Sequence, residues 1–241
     1  AVANYPHAMT YTFRGLARGL VQEFPAAAAD LTAALSLNPS PALLVRIYSN
    51  RAVAYGELGQ IEKAYADYAA AIEAGSRIPS ATGETVEVYR KRGMLSAALG
   101  RYDDAITDFS RAISLAPRDG RLYVMRGNLF SATGDRQRAL VDYTRGIEIN
   151  PDDVVAWYNR ALCHAAGGNH LAAVGDFTQA LAISPQFVAA RAMRAVSRLA
   201  AGDAEGARAD AEEARRLGWV FPETFVREME ESGRPPARQG R

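Results

Sequence analysis

Residues 123–151, YVMRGNLFSATGDRQRALVDYTRGIEINP, decide the fold, because residues 157–185, WYNRALCHAAGGNHLAAVGDFTQALAISP, repeat their pattern 34 positions later. The pattern occurs six times along the chain. A fixed period of this length indicates stacked units of two helices, each of which buries its apolar face only against its neighbours. The copies lie near 8–41, 45–78, 86–119, 120–153, 154–187 and 188–221.

The third, fourth and fifth copies run from a large aromatic through a small residue, a Gly turn and an Ala to a second aromatic and a closing Pro, and the other three copies keep part of this order. Tyr123, Gly127, Gly134, Ala139 and Tyr143 carry this order in the fourth copy. The pattern resembles the tetratricopeptide repeat over about residues 8–221. The resemblance implies an all-α fold, a right-handed α-solenoid of antiparallel helix pairs. In this superhelix, the first helices of the pairs line a concave groove that takes peptides or partner proteins.

Local residue choices agree with helix pairs. A Gly at the end of the first helix favours the left-handed turn that joins the two helices, and only the first copy has Gln22 there instead. About seven extra residues, Arg77–Gly83, precede the third copy and predict a hinge or an exposed loop. We expect one solenoid over 8–232, in which residues 222–232 form a capping helix. Residues 233–241 carry only positive charges and predict a disordered basic tail.

An Arg before the small residue is followed by an Asp sixteen positions later in all six copies. Six guanidinium groups could line the groove and hold acidic ligands. Alternatively, each Arg pairs with the Asp on a second helix and fixes how the helices dock. Strict repetition favours the structural reading, because a non-repeating ligand gives its contact positions no reason to be identical. The predicted ladder is Arg14/Asp30, Arg51/Asp67, Arg92/Asp108, Arg126/Asp142, Arg160/Asp176 and Arg194/Asp210.

We therefore look for the binding groove among first-helix positions that differ between copies. Steps of three and four residues from the aromatic select the face opposite to the packed one. The candidates are Arg46, Ser49, Asn50, Glu87, Arg90, Met94, Arg121, Val124, Asn128, Tyr158 and Leu162. Charged residues dominate the first half of this set and apolar residues the second. The pattern predicts a partner segment with an acidic or polar portion followed by an apolar anchor.

The chaperone-binding members of the family grip the C-terminal carboxylate of Hsp70 or Hsp90 with a clamp of Lys, Arg and Asn. Asn50 and Lys91 match two clamp positions. Thr12, Leu16 and Glu87 stand where the family has Lys, Asn and Lys, so the resemblance argues against this peptide as the ligand.

No motif predicts catalysis. Cys163, His164 and His170 cluster near one turn, and a metal or thiol enzyme is the weakest reading, because both His occupy repeat positions held elsewhere by packing residues. A formal charge of +1 gives no pull toward nucleic acid, and no apolar stretch is long enough to span a membrane. We expect no cofactor.

The sequence therefore predicts a non-enzymatic interaction scaffold that binds a peptide or helix of an unidentified protein in its groove. The alternative is a structural subunit that contacts a larger assembly through its convex face or capping helix. The chain starts at Ala1 rather than Met, which fits removal of a signal peptide or a trimmed chain. The expected compartment is the cytoplasm or, after signal-peptide removal, the periplasm or the exterior.

Overall fold

The structure is a computed structural model that describes residues 5–232. Within this range the chain forms thirteen α-helices and a short 3-10 helix, Pro79–Ala81, without a β-strand. The helices are α1 Tyr5–Leu20, α2 Phe24–Ser36, α3 Pro41–Glu57, α4 Ile61–Ser76, α5 Thr82–Ala98, α6 Tyr102–Leu115, α7 Gly120–Ala132, α8 Arg136–Ile149, α9 Val154–Ala166, α10 His170–Ile183, α11 Val188–Ala200, α12 Ala204–Arg216 and α13 Glu223–Glu231. The predicted tail, 233–241, lies outside the described residues.

Helices α1 to α12 form six pairs, one for each copy of the repeat. Three residues separate the two helices of every pair, which is enough only for a tight turn between neighbours. The chain divides into two compact units, with the boundary after Leu122. The first unit holds the pairs α1–α2, α3–α4 and α5–α6, and the second holds α8 to α13 with most of α7. A single solenoid over 8–232 stays a prediction.

The turn inside each pair contains one residue in the left-handed backbone region. Five pairs place a Gly there, from Gly59 at φ 70° to Gly202 at φ 89°. The first pair places Gln22 there at φ 64°. A β-carbon is disfavoured in this region, so the turn of the first pair is the strained one.

Small and large side chains alternate in the core of each pair. The Ala that falls one turn into each second helix is at most 1% exposed, as Ala64 and Ala139 illustrate. The aromatic that follows, for example Phe177, fills the space that these small residues leave. The first copy has Leu31 and the last has Ala211 in place of this aromatic.

The insertion before the third copy differs from the predicted loop. Helix α4 continues to Ser76, the 3-10 helix follows after two residues, and α5 already begins at Thr82. The physical reason lies at Ser76, which occupies the position where the third copy has Pro117. With no Pro to block it, the last turn of α4 extends two residues further than in the third, fourth and fifth copies. That turn packs closely on α5, because Gly75 has no β-carbon to collide with the Thr85 side chain.

Helix α13 closes the second unit. Its Phe225 and Met229 side chains are buried in one cluster with Phe221 and with alanines of α11 and α12. None of the helices in residues 5–232 is long and apolar enough to cross a membrane.

Candidate functional site

The predicted Arg/Asp pairs are direct contacts within each helix pair. In all six, the Arg Nε and Nη2 atoms donate hydrogen bonds of 2.6 to 2.9 Å to the two carboxylate oxygens of the Asp. In the two outermost copies, Arg18 and Arg198 add a second guanidinium to Asp30 and Asp210. The ladder occupies the space between the two helices rather than an open groove.

The ladder aspartates of the second, third and fourth copies are buried, unlike the residues of an accessible binding site. Asp67 is 5% exposed, and Asp108 and Asp142 are both 3% exposed. Each of the three accepts two hydrogen bonds of 2.6 to 2.9 Å from the Arg of its own helix pair. The guanidinium compensates the carboxylate charge inside the pair, which allows the Asp to be buried. These three carboxylates are therefore buried contacts within their helix pairs.

The third nitrogen of several ladder arginines ties neighbouring pairs together. Arg51 Nη1 donates to Thr32 Oγ1 at 3.0 Å in the first unit. Arg160 and Arg194 donate in the same way, at 3.1 Å, to threonines of the preceding pair in the second unit. Each of these threonines stands two residues after the ladder Asp of its own pair. The ladder therefore links consecutive pairs as well as the two helices of one pair.

Arg92 lacks this tie among the described residues, because Ala69 stands where the first, third, fourth and fifth copies have a hydroxyl. Replacing Ala69 by Thr is expected to supply the missing acceptor and raise the free energy of unfolding by about 0.5–1 kcal/mol. Chemical denaturation monitored by circular dichroism measures the change. The matched variant Thr144→Ala removes an existing tie and should lower stability by about the same amount. If Ala69→Thr is no more stable than the original chain, the hydrogen bond between neighbouring pairs does not contribute to the free energy of unfolding at this position.

Two adjacent cavities lie between α3 and α5 in the first unit. One has a volume of about 430 Å³ and is lined by four predicted groove residues, Arg46, Ser49, Asn50 and Glu87. The other has a volume of about 400 Å³ and is lined by the predicted residues Arg90 and Met94. Lys91 lines both cavities, and we call the two together the α3–α5 cleft.

A third cavity, of about 370 Å³, lies in the second unit between α7 and α9. It is lined by the predicted residues Asn128 and Leu162, together with Asn159 and Tyr143. Asn128 Oδ1 accepts hydrogen bonds from Tyr143 Oη and Asn159 Nδ2, both at 2.8 Å. We call this cavity the asparagine cleft.

Three predicted groove residues are placed elsewhere. Val124 is only 6% exposed and lines none of the three cavities described above. Tyr158 packs its ring against Phe177 and Phe187, with ring centroids 5.7 and 4.8 Å away. The common reason is that a residue directly after the first aromatic lies only about 100° around the helix from it and still faces packed neighbours. Arg121 is exposed on α7 and lines none of the three cavities described above.

Two cleft residues, Lys91 and Asn159, were absent from the predicted groove set. Both directly precede a ladder Arg, as Asn50 does. Because the ladder Arg points between the helices, the residue before it is turned toward the cleft. This position in the repeat would have identified both residues from the sequence.

Cys163, His164 and His170 lie at and near the turn between α9 and α10. Among residues 5–232, no three His, Cys, Asp or Glu side chains come together in a way that could hold a metal ion. Cys163 is buried with its Sγ 3.5 Å from Ser131 Oγ, and His164 Nε2 lies 3.9 Å from Asp176 Oδ2. His170 Nδ1 is buried without a hydrogen-bond partner among the described residues. These contacts are those of packing residues.

Family models match the chain in two segments, residues 43–118 and 124–186, and both models describe the tetratricopeptide repeat. A search among curated protein sequences gave no match.

Solved structures of low sequence identity share the fold. PilF from Pseudomonas aeruginosa superposes with a TM-score of 0.69 at 15% identity, over 93% of this chain and 96% of that one. YrrB, described as a TPR protein with an unusual peptide-binding site, gives a TM-score of 0.59 at 20% identity, over 77% and 91%. MamA gives 0.55 at 22% identity, over 67% and 93%. The predicted all-α solenoid fold is thereby confirmed.

Proposed function

Because the chain belongs to the tetratricopeptide repeat family, we propose that it is a non-enzymatic interaction scaffold whose clefts bind an extended peptide segment of a partner protein. Family membership supports protein interaction in general. The choice of a peptide as the ligand rests on the polar groups that the clefts present.

The asparagine cleft carries this proposal. Asn128 Oδ1 already accepts two hydrogen bonds, so the Asn128 amide is held with its Nδ2 group directed away from Tyr143 and Asn159. No partner for Asn128 Nδ2 or Asn159 Oδ1 exists among the described residues. A donor and an acceptor side by side are what a peptide main chain requires, since each of its units offers one N–H and one C=O. Leu162 supplies an apolar wall beside them.

The likeness to YrrB is consistent with this proposal, because that protein is described as having a peptide-binding site. The assignment of a scaffold rather than an enzyme is supported by the buried position of Cys163 and by the packing contacts of His164. The ladder arginines are hydrogen-bonded to their aspartates. The polar groups of the clefts, such as Asn128 Nδ2 and Asn159 Oδ1, are in contrast free to bond to a ligand.

One observation favours a second candidate function. Leu171 and Val141, on the second helices α10 and α8, are 76% and 68% exposed. Apolar side chains this exposed suit a contact with another protein. In that case the chain would be a structural subunit held through its second helices.

Replacing both Asn128 and Asn159 by Ala is expected to weaken partner capture roughly thirtyfold, because two hydrogen bonds to the ligand of about 1 kcal/mol each are removed. A circular dichroism melt verifies that the variant is folded, since Asn128 also accepts the hydrogen bond of the buried Tyr143. The measurement is affinity capture from the source cells with quantitative mass spectrometry. The matched control is Leu171→Ser with Val141→Ser, which alters only the exposed second-helix side chains. Retention by the Asn variant together with loss by the control would replace the peptide proposal by the structural-subunit function.

A further inference from the structure

The α3–α5 cleft contains three hydrogen-bond donors that the protein itself leaves unused. They are the Ser49 and Tyr68 hydroxyls and the Lys91 ammonium group. Ser49 and Tyr68 are 4% and 3% exposed. Within residues 5–232 none of the three has a hydrogen bond or an ion pair. Donors without a partner inside the protein remain free to bond to a ligand, so a cleft lined by three of them is suited to a ligand that brings acceptors.

Comparison of the two tyrosines at the same repeat position explains why Tyr68 is unpartnered. In the second unit, Tyr143 donates its hydroxyl proton to Asn128. In the first unit, Val53 occupies the repeat position of Asn128 and offers no acceptor. The Tyr68 hydroxyl therefore faces the cavity that Val53 and Lys91 also line.

Lys91 also has no ion pair among the described residues. Its nearest acidic neighbour in the sequence is Glu87, one helical turn away, but both Glu87 oxygens accept hydrogen bonds from Arg90, at 2.5 and 2.7 Å. No carboxylate among the described residues comes within 4 Å of the Lys91 ammonium group. Burial accordingly lowers the pKa of Lys91, an effect that a bound anion would oppose.

The insertion before the third copy builds one wall of this cleft. Ser80 of the 3-10 helix and Gly83 at the start of α5 line the larger cavity, opposite Arg46 and Asn50 of α3. Copies that lack the insertion have no residues to form such a wall. Lys91 lines both cavities, so each offers space for residues that flank a group bound at Lys91.

We propose that the α3–α5 cleft binds an internal Asp or Glu side chain of the partner peptide, whose carboxylate pairs with Lys91 and accepts hydrogen bonds from the Ser49 and Tyr68 hydroxyls. This rests on the proposed function and names the chemistry of its ligand. An internal side chain is favoured over a chain terminus because two cavities, rather than one, border Lys91 and can hold residues before and after the acidic one.

The test uses fluorescein-labelled nonapeptide pools with random flanks and acetylated, amidated ends, and fluorescence anisotropy with the full chain. One pool has Glu at the central position, a second has Gln, and a third has Gln with a free C-terminal carboxylate. The Glu pool is expected to bind about tenfold more tightly than either Gln pool, which is the typical contribution of a charge-assisted hydrogen bond. Lys91→Met should abolish this preference, Tyr68→Phe should reduce it, and Lys91→Arg should keep it.

The outcomes distinguish failure of the acidic-ligand inference from failure of the proposed peptide binding. Equal binding of the Glu and amidated Gln pools, or a preference that survives Lys91→Met, overturns the acidic-ligand inference and leaves peptide binding standing. Tightest binding of the third pool overturns it in favour of a terminal carboxylate. Binding of no pool overturns both proposals. A circular dichroism melt of each variant verifies that it is folded. Glu84→Gln, at the exposed rim of the cleft, is the matched charge control. It removes a negative charge near the ligand and should therefore strengthen binding of the Glu pool.

Discussion

Replacing Asp176 by Asn is expected to lower the free energy of unfolding by about 3 kcal/mol. Asp176 accepts two hydrogen bonds of 2.8 Å from Arg160, and the Arg160 side chain is only 16% exposed. The substitution keeps the shape of the side chain but removes its charge and leaves a largely buried guanidinium uncompensated. Urea denaturation followed by circular dichroism measures the effect, with amide hydrogen exchange of α9 and α10 as a local readout.

The double variant Arg160→Met with Asp176→Leu is the control for this prediction. It removes both charges together, so it should be much less destabilising than Asp176→Asn alone. A second comparison is Arg14→Met in the first copy, where the Arg side chain is 53% exposed and the loss should be clearly smaller. A loss below about 0.5 kcal/mol for Asp176→Asn would mean that the ladder does not fix the helix pairs.

Phe177→Ala is expected to lower the free energy of unfolding by about 3–5 kcal/mol, the usual loss for removing a buried aromatic ring. Phe177 is fully buried among Ala161, Ala173 and Ala180, whose small side chains cannot fill the space left behind. The ring of Tyr158 loses its neighbour at the same time. Because a repeat contacts only adjacent repeats, amide exchange should accelerate mainly in α9, α10 and α11.

Phe177→Leu is the matched control, since it retains most of the apolar contact and should be less destabilising than the Ala variant. Equal effects of the two substitutions would indicate that the site collapses without leaving a cavity. A loss below about 1 kcal/mol for Phe177→Ala would contradict the assignment of this ring to the core of its repeat.

The repeat pattern predicted the fold because every copy makes the same packing contacts. A residue type that recurs at one position, such as the ladder Arg, reports a contact that each helix pair needs. This is why the period, the Gly turns and the identity of the ladder partners could be predicted from the sequence. The tie from Arg51 to Thr32 could have been predicted as well, since hydroxyls recur two residues after the ladder Asp.

The candidate site was only partly predictable, because it depends on features that occur once. The absence of a Pro at position 76 lets α4 continue to Ser76, and the insertion that follows supplies Ser80 and Gly83 to the wall of the α3–α5 cleft. The burial of Val124 could not be predicted, because an apolar residue on a first helix can face either the core or the cleft, and only the packing of its neighbours decides. That the Tyr68 hydroxyl lacks a partner could not be predicted from the sequence alone, because this depends on which residue lies opposite it in the fold.

The two classes of charged residue thus have different roles in this account. The ladder arginines are saturated by their aspartates and position the helices, whereas Lys91 has no partner among the described residues and faces a cavity. Substitutions in the ladder should change stability and leave ligand preference intact. Substitutions at Lys91 should do the reverse.

The most direct measurement compares two variants, Lys91→Met and the double variant Arg160→Met with Asp176→Leu, in anisotropy titrations against the central-Glu peptide pool. The account predicts about a tenfold loss of affinity for Lys91→Met and a change of less than about twofold for the ladder variant. Unchanged affinity for Lys91→Met, with a tenfold loss for the folded ladder variant, would contradict it and return the ladder arginines to the role of ligand site.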